Sequence, residues 1–261
     1  GFALYGYTPL SFMGDLSYDF QIGEMDFKSD EGFVRSQGAR QHETLNITDM
    51  DADYAWFASL RWNTPLKGLK TKASYYEIEN LTENGETTFT AQDNTTVNSQ
   101  ITYEFTEKNG YILSLEYTWN NLVVSGEYSE DTYQIKMNQT ADISFQPGQN
   151  NAPPMEISKT TSEGWYFSAA YRFTDWFELG GQYSEYYPDA DNKHGEKRKE
   201  NQFNSWLKTT TLSTRFDIND YWILKLEGSY NDGFGGINLA ENSDTLEQYW
   251  LLFAAKMTFS F

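Results

Sequence analysis

The sequence predicts an all-β fold, a transmembrane antiparallel β-barrel of the outer-membrane kind, and three observations lead there. The first is the closing stretch Glu247–Phe261. Side chains of a strand alternate between its two faces. Counting back from Phe261, one face carries Phe261, Phe259, Met257, Ala255, Phe253, Leu251 and Tyr249; the other carries Ser260, Thr258, Lys256, Ala254, Leu252, Trp250 and Gln248. A long apolar stripe bracketed by aromatics is how a strand reads when lipid covers that face. The second observation is composition: mean hydropathy is -0.68, yet aromatic residues make up 17% of the 261. That pairing suits a barrel whose lumen, turns and loops are all wet. The third is an alternation of short turns with long polar stretches along the whole chain.

The same figures exclude other classes. A formal charge of -19 argues against a nucleic-acid partner, which would call for a basic face. Zero Cys removes disulfides, thiolate chemistry and Cys-ligated metals. No apolar run approaches the roughly twenty residues that a membrane-crossing helix needs.

Taken in order, Gly1–Tyr7 reads as a strand and Pro9–Phe12 as a turn. Asp15–Ile22 alternates, with Leu16, Tyr18, Phe20 and Ile22 on one face. A polar stretch covers Glu24–Met50, and Tyr54–Trp62 and Leu69–Glu79 form a pair around Asn63–Gly68. A second polar stretch spans Asn80–Asn98. Ile101–Trp119 is either one long strand or a hairpin turning at Lys108–Gly110. Asn120–Asn121 turns into Leu122–Met137, and a third polar stretch, Asn138–Ser162, holds the Pro-rich Gln146–Pro154. Glu163–Phe173 with Phe177–Tyr187, and Trp206–Ile218 with Trp222–Asn231, are further pairs. Between them lies the polar stretch Pro188–Asn204, and the loop Asp232–Leu246 leads to the closing strand.

Short turns fall at 9–13, 63–68, 119–121, 174–176 and 219–221, with Trp62, Trp119, Trp176 and Trp222 beside them. Interfacial tryptophans belong at such turns, which should share one side of the membrane with the C-terminus. With Ile101–Trp119 as one strand the count is eleven. Single-chain barrels of this kind have an even number. The expectation is therefore one barrel domain over residues 1–261 that lacks N-terminal strands, with a complete twelve-stranded barrel as the alternative.

Family texture appears in Phe2–Gly6 with Gly14–Gly23, in Ser114–Tyr117, in Tyr171–Gly180 and in Phe253–Phe261. These stretches resemble the bacterial porins grouped with phosphate-selective and DcaP-like channels. The resemblance implies a sixteen-stranded homotrimeric barrel in the outer membrane of a Gram-negative cell, with about five strands before Gly1. The implied partners are outer-membrane lipid, lipopolysaccharide and small solutes.

Carrying the faces through each strand sets the charges opposite the apolar stripe: Arg61, Lys72, Glu116, Glu127, Arg172, Glu178, Arg215, Lys225, Glu227 and Lys256. A cation facing hydrocarbon at the midplane would cost about 2–4 kcal/mol, so these ten are the expected pore-lining set. Lys208 is the exception, near an outer strand end where it can snorkel. Six basic against four acidic residues suggest a weak preference for anions such as carboxylates or phosphate, with Arg172 and Arg215 as the determining pair. The same arginines also read as a structural ladder paired to Glu116, Glu178 and Glu227, and both readings stay open. The function expected is a passive channel for small polar or anionic solutes; the alternative is a barrel that scaffolds a partner protein.

No enzyme and no cofactor is expected. Only His42 and His194 are present, outside any nucleophile motif. Asp49–Asp53 and Asp189–Asn192 are acidic enough to bind Ca²⁺ but complete no EF-hand loop. No metal site is assigned. Lys193, Lys197, Arg198 and Lys199 form a basic tuft suited to lipopolysaccharide phosphates or to plain solvation.

Overall fold

The computed structural model describes residues 1–27, 45–90, 96–141, 155–237 and 247–260. One antiparallel sheet contains β1 (Phe2–Pro9), β2 (Asp15–Phe27), β3 (Asn46–Asn63), β4 (Leu69–Glu79), β5 (Thr82–Thr90) and β6 (Thr96–Trp119). It continues through β7 (Leu122–Ala141), β8 (Met155–Thr174), β9 (Phe177–Tyr187), β10 (Leu207–Asp217), β11 (Trp222–Gly233) and β12 (Tyr249–Phe259). Neighbours in sequence are neighbours in the sheet, except that β4 and β5 share one place. Both lie between β3 and β6, β4 against Tyr54–Asn63 and β5 against Asn46–Asp51. Asn80, at φ 52°, breaks the line between them. Twelve strands thus occupy the eleven places that the sequence predicts.

One expectation needs correction, and the choice left open at Ile101–Trp119 falls to the single strand. Asn80–Asn98, read as a loop, contains β5 and the start of β6. Its Thr-rich alternation is a good ladder former that lacks the apolar stripe by which lipid-facing strands are recognised. The Lys108–Gly110 hairpin does not form, because β6 runs unbroken through it for 24 residues. Gly110 is there for room: a Cβ would stand 2.7 Å from the Glu130 carbonyl oxygen and 2.8 Å from the Tyr76 ring. Among the described residues β1 pairs only with β2 and β12 only with β11, so the twelve strands do not close on themselves. Gln146–Pro154, His42 and Phe261 lie outside the described residues.

The five short turns gather at one end of the sheet, as sequential antiparallel pairing requires. Gly68, at φ 89°, closes the β3–β4 turn where a Cβ would fall 2.0 Å from the Thr118 carbonyl oxygen.

One face of the sheet is apolar and bare. Leu212 is 59% exposed and Phe253 77%, and Phe167, Leu226 and Leu251 share that face. Aromatics border it at both ends. Near the short turns Phe173, Phe177, Phe216 and Trp176 stack with centroids 5.3–6.3 Å apart, and Trp222 meets Phe259 at 4.7 Å. At the far border Trp56 meets Tyr75 and Trp165 meets Tyr183. Trp165 and Phe173 are eight residues apart, about 26 Å along a strand, which matches an apolar band about 25 Å tall once tilt is allowed for. Just above the band tyrosines donate to carboxylates two residues on: Tyr75 to Glu77, Tyr128 to Glu130 and Tyr183 to Glu185.

Beyond that border the polarity of the two faces is exchanged. Register shifts at Gly23/Met25, Ile47/Asp49 and Phe105/Glu107 each displace the alternation. Ile47, Met50, Ala52, Ile101 and Ile135 then point to the side that is polar below, where they are 3–9% exposed. Where water replaces lipid outside, the apolar side chains move inside.

Candidate functional site

The polar face between the two aromatic borders is the candidate site, and the cross-strand register arranges it in rows. Arg172, Glu178, Arg215, Lys225 and Lys256 are direct partners across β8, β9, β10, β11 and β12. They form one continuous rung near the short turns. Arg61 and Lys72 are direct partners on β3 and β4, and Ser114 carries their row to Glu127. Glu116 lies opposite Lys70, and Glu227 opposite Ser213. Between these charges the wall is hydroxyl-rich: Ser125 meets Ser168 at 2.7 Å, Thr211 meets Ser229 at 2.9 Å and Thr209 donates to Asn231 at 2.7 Å.

The ion pairs redistribute the roles expected of the arginines. Arg172 donates to Asp217 and to the Asp175 carbonyl, with Glu178 at 3.9 Å. Arg215 Nε donates to the other Asp217 oxygen at 2.8 Å. Two guanidiniums and two carboxylates make a balanced quartet. Of the carboxylates expected to pair with these arginines only Glu178 is beside them, since Glu116 holds Lys70 and Glu227 faces Ser213, and Asp217 is the shared partner. Asp217 escaped sequence reasoning because it sits at a strand end beside a turn, where face parity is hardest to assign. Lys70, 3.1 Å from Glu116, follows from the parity of Lys72 and was readable. With Asp15 and Asp19 on the same face of β2, six basic and four acidic residues become seven and seven. The slight positive excess is gone. What remains is placement: every like-charged pair of direct cross-strand partners in this zone is cationic, Arg61–Lys72, Arg215–Lys225 and Lys225–Lys256. Arg61, Lys72, Lys225 and Lys256 make no ion pair among the described residues.

A family model described as "Putative beta-barrel porin-2, OmpL-like" matches residues 12–260. The chain belongs to that porin family. The match places the kinship with OmpL-like porins; the finer likeness to phosphate-selective and DcaP-like channels is carried only by strand-and-turn texture. No curated protein matches the chain. Among solved structures, the Pseudomonas putida toluene transporter TodX is similar with a TM-score of 0.42 and 11% identity, over 99% of this chain and 73% of that one.

For a porin barrel in the outer membrane the face division follows from solvent: apolar side chains meet lipid and polar ones line the lumen. His194 follows a 3-10 turn at Ala190–Asn192. Among the described residues no three metal-ligating side chains converge. Asp49–Asp53, expected in a loop, belongs to β3, and its Asp53 accepts from the Asn80 amide at 2.6 Å. The basic tuft is largely engaged: Lys193 pairs with Glu163 at 2.6 Å, Lys197 with Asp189 at 3.0 Å, and Arg198 donates to Ser205 at 3.0 Å. Lys208, the exception on the apolar face, stands opposite Glu185 above the band.

Replacing Asp217 by Asn should remove the charge that both guanidiniums share, leaving Arg172 the Asp175 carbonyl and Glu178. The expected result is a small loss of stability, since these ion pairs are partly solvated, together with a shift of ionic preference toward anions. Chemical denaturation and reversal potentials read the two effects separately.

Proposed function

We propose that the chain forms the wall of a passive outer-membrane channel for small polar solutes, with a weak preference for anions, working as a homotrimer within the lipopolysaccharide-bearing membrane. The carrying observation is the polar face itself. Between the aromatic borders it is a hydroxyl surface whose carboxylates are single or paired, while its adjacent like charges are all cationic. Charges lining a narrow pore keep more of their field than loop charges, which salt screens over about 8 Å. The net charge of -19 therefore weighs less than the wall. Rings of charged side chains set ion preference in such pores.

Reversal potentials across planar bilayers under a KCl gradient test this. The expected sign is that of a modest chloride preference. A clear potassium preference would refute the anion assignment, and a folded protein that never conducts would leave the scaffold reading in its place.

A further inference from the structure

The two strands β3 and β4 form a chemically graded ladder on the polar face. From the short-turn end upward the direct partners are Arg61–Lys72, Ser59–Ser74, Phe57–Tyr76 and Ala55–Ile78. The rungs run from two cations through two hydroxyls and two aromatic rings to two aliphatic side chains. Adjacent rungs are two residues apart, about 6.7 Å. Two recesses accompany them: one of about 380 Å³ at the cationic rung, where Arg61, Lys70 and Lys72 outnumber Glu116 and Glu127 and Tyr166 closes one side, and one of about 550 Å³ at the upper rungs. Lys72 joins the two, its Nζ 5.7 Å from the Phe57 ring centre.

This arrangement is costly without a ligand. Two like charges placed directly opposite each other destabilise a strand pair. Of the nearby carboxylates Glu116 is paired with Lys70 at 3.1 Å, Glu127 accepts from Ser114 at 2.8 Å and Asp19 accepts from Gln21 at 2.9 Å, and among the described residues none forms an ion pair with Arg61 or Lys72. Of the upper rungs, Ile78 packs against the core of Leu45, Ile47 and Met50, and Tyr76 donates its hydroxyl to Asp131. Phe57, by contrast, is a partly exposed ring in a water-facing wall, unrewarded unless something apolar covers it. One ligand chemistry answers both needs, an anionic head attached to an apolar body.

We infer that the β3–β4 ladder is a binding subsite for carboxylates bearing an aromatic or short aliphatic body. The carboxylate docks between Arg61 and Lys72, where charge-assisted hydrogen bonds are strong. The body lies against Phe57, whose ring centre is 5.7 Å from the Lys72 Nζ; the Ala55–Ile78 rung, about 20 Å along the strands from the cations, stays outside its reach. The inference deepens the channel reading by naming a solute class and rests on that reading for access to the wall, but binding can be measured without conduction.

Isothermal titration of the purified protein in detergent, with benzoate, acetate, inorganic phosphate and benzyl alcohol as probes, tests it. Benzoate should bind at least tenfold more tightly than each of the other three. Arg61→Gln/Lys72→Gln should weaken benzoate tenfold or more and leave benzyl alcohol unchanged, whereas Phe57→Ser should weaken both. Phosphate equal to benzoate would reduce the subsite to a plain anion site, and benzyl alcohol equal to benzoate would reduce it to a plain apolar one. Either result, or benzoate binding untouched by the double substitution, overturns the inference. Each variant is first checked for the wild-type heat-induced unfolding temperature, and Lys72→Gln alone, expected to weaken benzoate severalfold, replaces a double variant that fails to fold. The outcome is independent of whether bilayers conduct, so this subsite and the channel can fail separately.

Discussion

Leu212→Arg should destabilise the folded protein in a bilayer by about 2–4 kcal/mol, while Ser213→Arg, one residue further on, should cost under about 1 kcal/mol. Leu212 is 59% exposed and occupies the row of Ala169, midway between Trp165 and Phe173, with Gly181 and Gly228 as its direct partners. Its side chain has no protein around it to repack, so the penalty is the transfer of a guanidinium into hydrocarbon. Ser213 projects to the other face opposite Glu227, where a new arginine gains a carboxylate. Denaturant titration of both variants refolded into lipid vesicles measures the contrast. Equal costs would mean that the two faces do not meet different solvents.

Lys225→Glu/Lys256→Glu should invert the ionic preference of the channel, the larger functional effect expected here. The two lysines are direct partners on β11 and β12, and Lys225 also faces Arg215. Both are exposed and make no ion pair among the described residues. Reversing both replaces a doubly positive patch by a doubly negative one at one depth. By contrast, Arg172 and Arg215 are already balanced by Asp217 and Glu178, and Arg172→Ala/Arg215→Ala should shift the reversal potential less. An unchanged potential in the lysine variant would remove this doublet from the selectivity account.

The residues of the apolar band were the most legible part of the sequence. Leu113, Phe167, Leu212 and Phe253 follow a strict period of two because lipid imposes the same demand on every strand. Above the band that demand ends and the alternation slips at bulges, so β5 and the upper parts of β3 and β6 read as loops. Ile47, Met50 and Ile101 were invisible as a core for the same reason. Their faces depend on register shifts that no periodicity announces. Within the candidate wall, parity along each strand placed all ten expected charges on one face, but it carries no information on which neighbour each one meets. That is why the Arg172–Asp217–Arg215 sharing and the Arg61–Lys72 juxtaposition emerged only from the register.

The central claim, that the polar face is the wall of a conducting pore, is tested most directly with single cysteines, for which the absence of native Cys gives a clean background. Ser168 and Phe167 are consecutive residues of β8, Ser168 hydrogen-bonded to Ser125 on the polar face and Phe167 53% exposed on the apolar one. A charged, water-soluble thiol reagent added during single-channel recording should produce a stepwise fall in conductance for Ser168→Cys and none for Phe167→Cys. A step at Phe167→Cys with silence at Ser168→Cys, or no conductance from either folded variant, would contradict the account.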